Sequence, residues 1–167
     1  LDENEEGIAV TTMTVEELAD KCRIAYDSIS KEYPTLKKGY SATKPVYNSD
    51  KMSYSGITGV FFPFTFEANV NVDVPIYTLP ATMCHELTHL RGYMREDEAN
   101  FIAYLVCKQS DDPFISYSGH LIALTHALNR LYAEDTDLYQ RATRRVSDSV
   151  AADLRNSNAY WAEHEGI

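Results

Sequence analysis

Pro80 and Gly92 bracket a short stretch whose centre reads His85-Glu86-Leu87-Thr88-His89. Proline suits the first turn of a helix and glycine the position just past its end. The pair predicts a helix over 80–91. Residues four apart share a helix face, so the two imidazoles stand one turn above the other. Both can then reach one zinc ion, and the glutamate between them can take a proton from a metal-activated water. A catalytic zinc usually takes three protein ligands and leaves a position for water, so a third ligand must follow.

Two completions are open. The first extends the pattern to a histidine three residues past the glycine, as in the metzincins. Gly92 fits it, but position 95 is Arg, so it fails. The second is a carboxylate on the next helix, where the chain offers Glu96-Asp97-Glu98-Ala99-Asn100. Glycine at 92 permits a sharp reversal, so the helices should pair antiparallel. His89 then faces Glu96 and, one turn deeper, His85 faces Asn100. Asn100 can accept a hydrogen bond from the second nitrogen of His85 and fix its tautomer. Ala99 and Ala103 are small enough to let the helices approach. Glu98 lies about 200° round from Glu96 and should point elsewhere. The metal ligands expected are therefore His85, His89 and Glu96. The plain alternative is a helix surface with two histidines and a carboxylate-rich helix start.

The rest of the chain reads as one domain. Thr14-Val15-Glu16-Glu17 is a capping box, and apolar residues at helical spacing carry that helix over 15–32. Residues 35–80 turn to Gly, Pro, Ser, Asn, β-branched and aromatic residues, with short strands at Val46-Tyr47, Ile57–Phe61 and Ala68–Val72. Pro63, Pro75 and Pro80 keep these strands short or at edges. Beyond residue 80 helices are expected over 95–108, 113–133, 136–145, 148–155 and 158–164. Residues 1–13, opening with Asp2–Glu6, read as a flexible acidic tail. The fold class is α+β, predominantly helical.

Composition closes off other classes. The net charge of −10 and the lack of a basic cluster beyond Arg141, Arg144 and Arg145 argue against nucleic acid as a partner. No apolar run reaches the length of a membrane-spanning helix, and no signal peptide opens the chain. It begins with leucine, as an excised piece of a longer protein would. Cys22, Cys84 and Cys107 lack metal-type spacing and read first as free buried thiols, with a single disulfide pair as the alternative in an oxidising compartment.

The function expected from the site is a zinc-dependent hydrolase, most simply an endopeptidase, with Glu86 as general base. The alternative is a non-catalytic zinc-containing sensor or peptide-binding domain. For the oxyanion partner such a reaction needs, Tyr117 is the first candidate; the other reading is a buried tyrosine with a satisfied hydroxyl. His120 and His126 are weaker candidates. Ala68, Asn69, Val70 and Asn71 form the candidate edge strand for an extended peptide substrate, or simply a strand inside a small sheet. Asp73, Tyr77 and Arg91 could line a cleft.

An H-E-x-x-H helix followed by Glu96 and, four residues on, Asn100 resembles the gluzincin metallopeptidases, the group that includes thermolysin. There the first glutamate of the second motif is the third ligand and the residue four later steadies a histidine. Asn stands at 100 where many of those enzymes have Asp, and the link from His89 to Glu96 is much shorter than in thermolysin. Ser55-Gly56-Ile57-Thr58-Gly59, Pro63-Phe64-Thr65, Glu67–Asn71, Cys84–Leu87, Arg95–Phe101, Tyr117-Ser118-Gly119 and Tyr160-Trp161 together resemble the bacterial domain of unknown function 3810 family over nearly the whole chain. The resemblance implies a zincin-like domain, with a small sheet packed on the histidine helix and the glutamate helix following. It also implies a transmembrane tether outside this chain and a membrane-anchored, extracytoplasmic setting.

Overall fold

The structure, a computed structural model, describes residues 1–165. It is an α+β fold dominated by helices. A hairpin of β1 (Asp2–Glu3) and β2 (Ala9–Val10) opens it, followed by α1 (Val15–Ile29), β3 (Lys44–Val46), α2 (Asp50–Tyr54), β4 (Gly59–Phe62) and β5 (Glu67–Asn71). Five helices complete the chain: α3 (Leu79–Leu90), α4 (Glu96–Lys108), α5 (Pro113–Glu134), α6 (Thr136–Thr143) and α7 (Asp148–His164). None is long and apolar enough to cross a membrane, among the described residues.

α3 is the centre of the fold. Every residue from Leu79 to Leu90 is buried except His85. A helix covered all round needs partners on each side, and here α1, α4, α5 and the sheet supply them. Side chains of its neighbours complete its polar ends. Ser118 of α5 accepts from the Ala81 N–H at 3.0 Å, one of the donors a helix start leaves unpaired. From α1 the Tyr26 hydroxyl reaches the Cys84 carbonyl at 3.1 Å, and its ring carries the Arg91 guanidinium 3.8 Å from the ring centre. Arg91 in turn donates to the Leu87 and Lys37 carbonyls at 2.7 and 2.9 Å.

The three-stranded sheet has the order β3-β5-β4, with β3 parallel and β4 antiparallel to β5. Ala68 and Val70 turn inward onto α3, as their alternation predicts. β5, however, is the middle strand, so the expected edge strand Ala68–Asn71 is paired on both sides and its backbone is unavailable to a peptide. Asn71 is fully buried and ties the sheet to its neighbours. Its amide donates to Ser53 Oγ at 2.9 Å and to the Ile57 carbonyl at 3.0 Å. The edges are β3 and β4, and β4 is the one that borders the histidine helix.

Two further expectations change. Residues 1–13 include the β1–β2 hairpin, and although Asp2–Glu6 are exposed, Ala9 is buried with its N–H on Asp153 Oδ1 at 3.0 Å. Residues 148–164 form one helix where two were expected. Asn156 and Ser157 read as a break by local preference, but the Tyr77 hydroxyl holds both the Asp153 carbonyl and Asn156 Oδ1 at 2.8 Å, and Leu154, Tyr160 and Trp161 pack on the core.

Candidate metal centre

α3 stops at Leu90, and Gly92 takes φ +93°, the left-handed value that ends a helix without steric cost. The chain turns back and α4 begins at Glu96 with Ala99 and Ala103 fully buried against its neighbours. This hairpin brings together His85, His89, Glu96 and Asn100, while Glu98 points towards Arg95. His85 Nε2 and His89 Nε2 lie 2.9 Å apart. The Glu96 carboxylate lies 3.2 Å from the first and 3.4 Å from the second. Tetrahedral zinc ligands at about 2.1 Å from the ion stand roughly 3.4 Å from one another, so the spacing suits such an ion.

Tautomers make the same point. His89 Nδ1 donates to the Tyr93 carbonyl at 2.7 Å, and His85 Nδ1 donates to Asn100 Oδ1 at 2.9 Å. Each neutral ring therefore turns an Nε2 lone pair inward. Burial, and then the facing His89, hold His85 below the usual histidine pKa, which keeps its lone pair free. With both Nδ1 atoms donating, two Nε2 atoms and a carboxylate converge, an arrangement that a cation would satisfy.

Glu86 stands beside this cluster and is 4 % exposed. Burial first, and then the Glu96 carboxylate, push its pKa up to about 7. Its Oε2 is buried without a hydrogen-bond partner. Across from it lies Gly59 of β4. A Cβ at that position would sit 2.5 Å from Glu86 Oε1, so no other residue fits there without displacing the carboxylate. Gly59 was missed from sequence, although a lone glycine opening a strand is a known sign of close approach.

The site opens into a cleft of about 450 Å³. Its walls are residues 56–61 on one side and His85, Glu86, His89, Met94 and Glu96 on the other. The Asn71 N–H donates to the Thr58 carbonyl at 2.9 Å. By the alternation of an antiparallel ladder, the Gly59 and Phe61 N–H and C=O groups then face away from β5, along the free edge. Ile57, Val60 and Met94 make the cleft mouth apolar and exposed.

Other candidates lie elsewhere. Tyr117 does not reach the cleft; its hydroxyl binds the buried Asp153 carboxylate, and burial first, then that carboxylate, raises its pKa. Tyr117 is half-buried, with its hydroxyl satisfied away from the cleft. Asp73 binds Ser53 and Tyr160, Tyr77 binds α7, and Arg91 is enclosed behind α3. His120 stacks edge-on against Tyr104, and His126 lines a groove between α4 and α5. All three cysteines are free and buried.

No curated protein and no solved structure matches the chain. Across residues 1–167 it carries the sequence profile of one family, and so belongs to DUF3810, described as a protein of unknown function.

Proposed function

We propose that the protein is a zinc-dependent endopeptidase with a zincin-like arrangement of its central helices and sheet. The observation that carries the reading is the Glu86 carboxylate. It is buried, holds Oε2 without a partner, and stands beside a convergent set of two imidazoles and a carboxylate at the floor of an open cleft. A structural metal site has no use for such a group.

His85 Nε2, His89 Nε2 and Glu96 would hold the metal, with Asn100 and the Tyr93 carbonyl fixing the rings. Zinc, when bound, supplies Lewis acidity that polarises a carbonyl and makes a water easier to deprotonate. Glu86 Oε2 takes the proton from the attacking water and returns it to the leaving amine nitrogen. An extended peptide lies along β4, paired to the outward N–H and C=O groups of Gly59 and Phe61. Glu86, Glu96 and the net charge of −10 disfavour acidic substrates, whereas Ile57, Val60 and Met94 accept apolar ones. Through the family resemblance, a transmembrane segment outside this chain holds the domain at an extracytoplasmic face.

One observation favours a second reading, a non-catalytic zinc-containing peptide-binding or sensor domain. Among the described residues lining the cleft there is no Tyr, Arg or further His to steady an oxyanion. Metal content after native purification, together with turnover of a peptide library by wild type and Glu86→Gln, separates the readings. The endopeptidase is expected to carry about one zinc per chain and cleave, and Glu86→Gln to keep the zinc and lose turnover. A wild type that binds zinc and peptides without cutting them supports the sensor. A wild type without stoichiometric metal removes both.

A further inference from the structure

The hairpin joining β4 to β5 ends in an aromatic tip that the cleft does not use. Cleft lining stops at Phe61. Beyond it Phe62, Phe64 and Phe66 are 47 %, 89 % and 59 % exposed. Phe62 rests on Phe64, and Phe61 meets Phe66 edge to face, with ring centres 5.6 and 5.9 Å apart. Phe66 holds φ +56°, a left-handed conformation that glycine takes freely and a bulky residue adopts at a cost. A strained backbone that displays a phenylalanine to solvent calls for something that the ring contacts.

Charge and area identify it. The chain has 25 acidic and 15 basic residues, yet none falls between Lys51 and Glu67. This face can therefore approach a lipid surface without the repulsion the rest of the molecule would meet. The three rings expose about as much as two free phenylalanines, roughly 400 Å². A stable protein partner needs about 800 Å² on each side, whereas insertion of a few apolar side chains suffices for reversible attachment to a bilayer. The geometry points to a membrane-docking hairpin, in which Phe62, Phe64 and Phe66 insert into the interfacial region of a lipid bilayer. The attachment does not depend on a metal or on catalysis.

Flotation of the whole protein with unilamellar vesicles of phosphatidylcholine, with and without phosphatidylglycerol, tests it. Wild type is expected to float with the vesicles, and Phe64→Ser to bind at least about tenfold more weakly with unchanged thermal stability. Phe66→Gly relieves the backbone, so its melting temperature should hold or rise while vesicle binding falls; a merely structural role for the ring would move both together. Phe64→Trp adds an indole to a chain whose one tryptophan is Trp161, and brominated lipid should quench the added emission. The proposal is overturned if wild type stays free of both vesicle types. It is also overturned if Phe64→Ser abolishes dimers seen by sedimentation in vesicle-free solution, or raises KM for apolar peptides, without altering flotation.

Discussion

At the scale of single residues, Glu86 and Gly59 act as a pair. Gly59→Ala would push a methyl group into the Glu86 carboxylate. We expect near-complete loss of turnover with zinc retained, read by peptide cleavage and metal analysis; full activity would show that Glu86 does not need its present position. Glu86 also makes stability depend on pH in the metal-free protein. Its pKa is about 7 in the fold against an ordinary 4.5. A raised carboxyl pKa means that the folded state holds the proton more tightly. Its contribution is therefore complete below the unfolded value and is lost as pH rises through the folded one. Glu86→Gln removes that loss. Metal-free Glu86→Gln should gain on wild type between about pH 5 and pH 8, by up to about 3 kcal/mol in urea unfolding. Parallel pH profiles would contradict the burial argument. The place of this residue beside the two imidazoles was legible in the sequence because neighbours four and fewer residues away on one helix define it. The fate of Tyr117 was not, because the Asp153 carboxylate that holds it lies on another helix.

At the scale of elements, the α3–α4 hairpin carries the residues proposed to hold zinc. Asn100→Ala frees the His85 ring and should weaken zinc binding about 10–100-fold in competition with a chelator, leaving helix content unchanged. Gly92→Ala forces a side chain into φ +93° and should cost about 1 kcal/mol or more in unfolding free energy. This hairpin followed from sequence because helical period and a single turn set its register. The sheet did not. Three short strands can be ordered in several ways, and only long-range packing places β5 between β3 and β4. Asn71 shows the difficulty: alternation put it on an outer face, and the loop from α2 to β4 closed over it. Asp153 is a buried node of the same kind, accepting from Ala9 and Tyr117. Asp153→Ala should destabilise by about 3 kcal/mol, seen as a lower denaturation midpoint, because both donors lose a charged acceptor.

At the scale of the whole molecule, α3 is held by α1, α5 and the sheet as well as by α4. Chelation should therefore lower the melting temperature without unfolding the chain at room temperature. At free zinc about a thousand times its dissociation constant, the metal adds roughly 4 kcal/mol. Circular dichroism melts with and without chelator measure this, and a coil spectrum after metal removal would mean that the apolar core does not suffice. All the proposed ligands, and the asparagine that orients one of them, fall within residues 85–100. Contacts so close in sequence close fast, ahead of the parallel β3–β5 pairing, whose partners stand 25 residues apart. If the proposed zinc site is right, metal capture can begin on a nascent chain as soon as this hairpin has emerged, before α5 exists to cover it. In the order of synthesis, the ion would act as a nucleus for the fold before it serves a finished cleft.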